Sequence, residues 1–495
     1  LTAALTAAYD AAMTQAQSQA DKAATATSHD SIQQGLTRFC QRHFSDPVDG
    51  LKRLTAGANM EIWAFDCGPQ KLILRRHPGG IAPDKQAGGM SLNDEASIVD
   101  LAFEHGVRAP QVIGRLLDED GLGTGFVMAR AEGEALPYKL FKDPSYQPAL
   151  AVFTQHCAEQ LAKIHAMPVD RLAEANVALR ATKAAESVAN LKTLLDTMGA
   201  KSPVFALALN WLENNLPAEA PQQFLHGDFR MGNLLIDATG ISAVLDWELA
   251  HIGDPAEDLA WLCMPSWRFG NYHQPVGGVG QIEDFLTAYE AASGRQIDRA
   301  RFHFWLIYAS LNWGAMTLRM TQIWRTGLDR SVERALIGTR SSEVEIDLLM
   351  MLEQQAGISA PLDTDLSLPE TERRSAEPEA GELLTAMTAW IKDDLIPRQT
   401  GSDLFNARVA GNTLSIVQRM SDYGPHFSKA QAARLAALDL THDGLCDALY
   451  AGEIDLAAPS LLTHLRLQAL ERLSIHQPRY AGLKVAQEKW GVTSA

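Results

Sequence analysis

At 495 residues with 46% apolar content, the chain is long enough for two or three ordinary domains, yet no apolar run approaches the roughly 18 residues of a membrane-spanning helix. Its net charge of −17 repels nucleic acid and anionic membranes, so neither is expected as a partner. Five cysteines, Cys40, Cys67, Cys157, Cys263 and Cys446, are odd in number and far apart in sequence, which argues against a disulfide framework or a zinc site and fits a reducing cytoplasm.

Residues 1–30 are rich in Ala and Gln, lack a basic leader segment and are interrupted by Asp10, so they read as a fraying helix and not as a signal peptide. From residue 31, "SIQQGLTRFCQRHF" places Ile32, Leu36 and Phe39 on one helical face. "MEIWAFD", the turn "CGPQ" and "KLILRR" follow as strands, and "QVIGRLL" and "GTGFVMARAEG" supply two more. Between these pairs, "SLNDEASIVDLAFEHG" reads as a helix capped by Ser91 and Asp94 and stopped at Gly106. Residues 50–130 therefore predict a small antiparallel sheet with one helix. Helical periodicity begins at about residue 146 and continues to about 355, broken by short strands around residues 224–244. Residues 357–380, rich in Pro, Glu, Ser and Thr, read as a linker, and residues 381–495 as all-helical. There "ELLTAMTAWIKDDLI" repeats Leu383, Met387, Ile391 and Leu395 as one apolar face.

The densest chemistry lies in "FLHGDFRMGNLLID" and the "VLDWE" that follows it. Asp228, on a loop before an apolar strand, suits the acceptance of a hydroxyl proton. Asn233 five residues on and Asp246 at the end of the next strand offer hard oxygen donors that suit Mg²⁺ bridging phosphates. An isolated H-x-D commonly only caps backbone amides. The full pattern, with strand, turn and L-D-W-E, points to phosphoryl transfer. Gly57, Ala58 and Asn59 form a turn between strands whose amides suit phosphate, although an ordinary hairpin turn has the same composition.

These two segments resemble the aminoglycoside phosphotransferase family over about residues 35–355. The resemblance implies an α+β, bilobal protein-kinase-like fold, with a small antiparallel β lobe and a larger helical lobe, followed by an all-α C-terminal domain. The implied division is an extension (1–30), a nucleotide-binding lobe (31–132), a catalytic and acceptor-binding lobe (133–356), a linker (357–380) and a helical accessory domain (381–495). Asp228 is then the catalytic base, with His226 orienting its loop and Arg230 in the same catalytic set, while Asn233 and Asp246 hold Mg²⁺ and Asp258 braces the loop. "LILR" resembles the strand that carries a phosphate-binding lysine in related kinases. Here that residue is Arg75, with Ile73 lining the adenine pocket, Glu95 orienting Arg75, and Arg76 on the surface. "GFVMARAEG" resembles the hinge, with Met128, Ala129 and Ala131 facing adenine.

The implied reaction is transfer of the ATP γ-phosphate to a small-molecule hydroxyl. "LILRRHPGG" and "LDWELAHIGDPAEDLAWL" look most like the branch found as the kinase domain of acyl-CoA dehydrogenase fusion proteins, which points to a hydroxyacyl-CoA. An aminoglycoside or another small alcohol is the alternative acceptor, a nucleotide-binding pseudokinase scaffold the alternative of another class, and a homodimer a possible assembly. The aromatic stretch holding Trp267, Phe269, Tyr272, Trp305, Tyr308, Trp313 and Trp324, with Arg268, Arg319 and Arg325, reads as helical core or as an apolar, cationic acceptor cleft.

Overall fold

The computed structural model describes residues 28–54, 60–80, 90–219, 221–362, 364–368 and 378–492. The expected phosphate turn Gly57–Ala58–Asn59 and most of the N-terminal extension lie outside them. The chain divides into two compact units, one of residues 1–181, 222–258 and 287–295, the other of 182–221, 259–286 and 296–495. The fold class is α+β, and no helix among the described residues is long and apolar enough to cross a membrane.

The first unit is built on an antiparallel sheet of β1 (Val48–Leu54), β2 (Glu61–Cys67), β3 (Gln70–Arg76), β4 (Val112–Arg115) and β5 (Gly125–Ala129), in the order β1-β2-β3-β5-β4. Strand alternation sends Leu72 and Leu74 to one face, where the helix His29–His43 closes a core with Ile32, Leu36, Phe39 and Phe65. Ile73 and Arg75 take the other face, since they pair across β5 with Met128 and Phe126, and Phe126 packs on Leu92 and Ala96 of the helix Leu92–Glu104. That helix starts at Ser91, whose hydroxyl accepts the Asp94 N–H at 3.1 Å.

Arg76 corrects the expectation of a surface residue: it is buried. Its guanidinium donates to Glu61 Oε2 at 2.8 Å and to the Leu122 carbonyl at 2.9 Å. The register of β2 on β3 sets Glu61 directly opposite Arg76, and the helix His29–His43 covers that face of the sheet. Arg75 and Arg76 alternate to opposite faces of β3, and that alternation gives no sign that both faces are covered.

The same unit carries two further strand pairs, β6 (Gln223–Leu225) with β9 (His251–Gly253), and the hairpin of β7 (Leu234–Asp237) and β8 (Gly240–Val244). The helical periodicity expected from about residue 146 is broken at Val152, leaving the helices Gln147–Ala151 and Phe153–His165.

The second unit is helical. Its Ser341–Gln355 helix is buried on nearly every side although it carries Glu343, Glu345, Asp347 and Glu353. Partners from beyond residue 380 hold several of these acids. Arg466 Nε and Trp490 Nε1 donate to Glu353 at 2.7 and 2.9 Å, Tyr480 donates to Asp347 at 2.5 Å, and Arg472 pairs with Glu345. Within the expected linker, Leu362 N–H donates to the Trp490 carbonyl at 2.7 Å. Helices from both sides of that segment therefore share one core.

Candidate active site

The loop between β6 and β7 carries His226, Asp228, Arg230 and Asn233, and the end of β8 delivers Asp246. Leu245 N–H donates to the Asn233 carbonyl at 2.8 Å, which ties the two segments together at the mouth of the hairpin. Asp228 is held through both oxygens: Arg230 Nε donates to Oδ1 at 3.0 Å and Asn233 Nδ2 to Oδ2 at 2.6 Å. With Nδ2 committed to Asp228, Asn233 has its side-chain Oδ1 to offer.

His226 is buried, and Asp228 N–H donates to its Nδ1 at 3.2 Å. The ring proton then resides on Nε2, which donates to the Leu245 carbonyl at 3.1 Å. Burial holds this imidazole below its ordinary range despite the pull of Asp258, Asp228 and Asp246, so it is neutral and serves as a fixed strut. Gly227, at φ +80°, packs so tightly that an added Cβ would lie 2.3 Å from the Leu249 carbonyl, which explains a glycine between the histidine and the aspartate.

Beneath the loop, Asp258 is fully buried and accepts the N–H groups of His226 and Gly227, each at 2.8 Å. His165 Nε2 lies 3.2 Å from the same carboxylate, and its Nδ1 lies 2.7 Å from the Tyr289 hydroxyl. Burial alone would raise the Asp258 pKa, but the His165 hydrogen bond and the His226 backbone N–H outweigh it and hold the carboxyl below its ordinary range. His165 and Tyr289 escaped sequence reading. Their only signal was a histidine at the end of an apolar helix, and Tyr289 is 124 residues away from it.

On the sheet, Arg75 Nε donates to Glu95 Oε2 at 3.1 Å, and Nη2 donates to Asp246 Oδ1 at 2.8 Å and lies 3.6 Å from Glu248 Oε2. Burial disfavours the guanidinium charge, but the three carboxylates more than restore it. The pair is unequal, because burial and the neighbouring Asp246 and Glu248 push the Glu95 carboxyl up to about 7 against the pull of Arg75. Glu248, also raised by burial, was missed from the sequence although it stands two residues past Asp246 in "LDWE".

Ile73 is buried beside Met128. Past them, Ala129 N–H donates to the Gln111 carbonyl at 2.8 Å and Arg130 N–H to the Lys71 carbonyl at 2.9 Å, so Ala131 lies past the last strand bond. Gly133 follows at φ +143°, with room for no Cβ against the Ile236 backbone.

Among the described residues, no group of three or more His, Cys, Asp and Glu side chains is placed to hold a metal by itself. The donor set nonetheless suits Mg²⁺, which binds through one or two protein oxygens and completes its shell with water and phosphate. Asp246 provides one carboxylate and Asn233 one amide oxygen.

In the second unit, Trp267, Trp305 and Trp313 are core residues, whereas Phe269 and Trp324 are exposed. A cavity of about 230 Å³ there is lined by residues that include Trp267, Arg268, Phe269, Tyr272, Arg340 and Tyr480.

Residues 50–305, just over half the chain, match the family described as "Phosphotransferase enzyme family" (APH). The chain belongs to that family. Residues 50–305 of this chain are therefore a phosphotransferase domain. The chain's residues 397–480 match a second family, a domain of unknown function (DUF6285). Among curated proteins it is 26% identical to mouse (Mus musculus) acyl-CoA dehydrogenase family member 10 over 53% of its own length and 25% of that protein. It is 24% identical to the Pongo abelii acyl-CoA dehydrogenase family member 11 over 65% of its length and 42% of that protein. The chain thus spans less than half the length of these relatives. A provisionally assigned aminoglycoside phosphotransferase from Ralstonia eutropha JMP134 shares the fold, with a TM-score of 0.51 and 18% identity over 65% of this chain and 98% of the other.

Proposed function

We propose that this phosphotransferase moves the γ-phosphate of ATP to the hydroxyl of a hydroxyacyl-CoA, of the 4-hydroxyacyl type. The observation that carries the kinase chemistry is Asp228, clamped between Arg230 and Asn233 with Asp246 tied alongside. In this reading Asp228 accepts the hydroxyl proton as the substrate oxygen bonds to the γ-phosphorus and the bond to the β,γ-bridging oxygen breaks, releasing ADP. Arg230 orients the Asp228 carboxylate, and the neutral His226 strut keeps the loop in shape. Asn233 and Asp246 would hold Mg²⁺, which when bound supplies charge neutralisation on the phosphates. Arg75, oriented by Glu95, offers its fork of donors to phosphate, a planar geometry that a lysine lacks. Ile73, Met128, Ala129 and Ala131 would contact adenine.

The acyl-CoA assignment rests on the relatives, both acyl-CoA dehydrogenase family members. The cavity with aromatic walls and Arg268 and Arg340 supports it, because that chemistry suits an anionic ligand with an apolar part. Phosphorylation would turn a poor hydroxyl leaving group into a good one.

The test is incubation with Mg·ATP and a panel of hydroxyacyl-CoAs, aminoglycosides and simple alcohols, read by mass spectrometry. Gain of one phosphate by the 4-hydroxyacyl-CoAs is expected. Transfer to aminoglycosides alone would refute the acyl-CoA reading, and tight ATP binding with no acceptor would favour a pseudokinase scaffold.

A further inference from the structure

The apolar face read from Leu383, Met387, Ile391 and Leu395 does not become core as a whole. Ile391 is buried, but Leu383 and Met387 are open, together with Trp390 on the same helix, Ala380–Trp390. The neighbouring helix, Gly401–Ala437, exposes Phe405, Val417 and Met420. All six large side chains are 42–55% exposed.

They form one surface. Gln418 donates to the Thr385 hydroxyl at 2.8 Å, Gly381 lies against Asp422, and Gly411 lies against Ile391. This register makes the two helices antiparallel, setting Leu383 level with Met420 and Met387 level with Ile416 and Val417. Along the longer helix Phe405, Val417 and Met420 fall within about a third of the circumference. Six half-open side chains of roughly 200 Å² each present about 600 Å² of apolar surface, at the top of what a typical monomer shows.

We propose that this two-helix face is the self-association surface of the protein, on which a second copy docks its own hairpin about a twofold axis to complete a four-helix bundle. Two observations favour a second copy. The apolar area, with a polar rim, approaches the roughly 800 Å² per partner that a stable interface buries. Charge points the same way: residues 380–437 hold six Lys/Arg against five Asp/Glu in a chain of net charge −17. Two such chains repel over most of their surface but meet without penalty here. An isologous contact also pairs the apolar stripe with itself, which an amphipathic helix hairpin satisfies without any other partner.

Sedimentation velocity on the full chain tests this. The wild type should sediment as a dimer at micromolar concentration. Met387→Glu/Trp390→Glu should be monomeric, with dissociation raised by about 100-fold or more, while Leu328→Glu, exposed elsewhere in the same unit, should remain dimeric. A monomeric wild type, or a double variant that is still dimeric, overturns the proposal. So does a monomer that instead floats with lipid vesicles. A second measurement does not depend on the charged variants: a spin label on Trp390→Cys is selective, since all five native cysteines are buried. It should show dipolar coupling to the label of the second copy, and absence of coupling overturns the proposal.

Discussion

Glu95 gives the sharpest quantitative test, because its protonation should push stability and catalysis in opposite directions. Its carboxyl is raised from an ordinary 4.5 to about 7, first by burial and then by Asp246 and Glu248, with Arg75 opposing. That gap corresponds to about 3 kcal/mol in favour of the protonated form in the folded chain. Between those pH values the folded chain holds a proton that the unfolded chain has released. The contribution to stability is therefore complete below the unfolded value of 4.5 and is lost as pH rises through about 7. Catalysis should run the other way, since only the ionised carboxylate orients Arg75 by charge. The expected kcat/KM profile has an acid limb with a midpoint near 7, while urea stability measured over the same range falls as activity rises. Glu95→Gln should remove the acid limb, lower kcat/KM at neutral pH and shrink the fall in stability by about 3 kcal/mol, leaving the part contributed by the buried Asp347, whose carboxyl is also raised to about 7. An unchanged acid limb in that variant, or a wild type with no inflection near 7, would refute the claim that Glu95 ionisation governs Arg75.

Three further substitutions separate the parts of the site and fold. Asp228→Asn should lower kcat by about 10²- to 10⁴-fold with nucleotide affinity nearly unchanged in calorimetry, and equal turnover would remove Asp228 as base. Asp246→Ala should weaken Mg²⁺-dependent nucleotide binding by about 10- to 100-fold, which titration with and without Mg²⁺ will resolve. Arg466→Met leaves Glu353 buried against only Lys489 and Trp490, so urea unfolding should show a loss of about 3 kcal/mol. A smaller loss would mean that Lys489 compensates.

What could be read from the sequence follows the distance over which each contact is specified. Asp228 and Asn233 are five residues apart, and the apolar strands that bring Asp246 beside them are written in the next dozen residues, so their proximity is legible. The contact of Arg75 with Glu95 was expected from the family resemblance of "LILR", and the strand and the capped helix lie close enough in sequence for it to hold. Arg76 was not legible, because its burial depends on a register with Glu61 and on a helix some forty residues upstream. Glu248 was hidden for a different reason: in an apolar strand exit, nothing in the sequence says that a second acid shares the guanidinium.

The hydrophobic pattern has the opposite failing. At Leu383 and Met387 a helical repeat predicts burial, yet the described residues leave both open. Periodicity reports that a face must be covered but not by which chain, because the free energy gained from removing apolar surface from water is the same either way. Along Ser341–Gln355 the pattern errs in reverse. Four acids interrupt the apolar series, and each reads as a solvent position. The structure buries them because Arg466, Arg472, Tyr480 and Trp490, more than a hundred residues later, bring donors to three of them. A buried acid with a distant donor and an exposed leucine stripe are therefore two forms of one omission. Sequence pattern names the surface that needs a partner, and only the fold, or a second chain, supplies it.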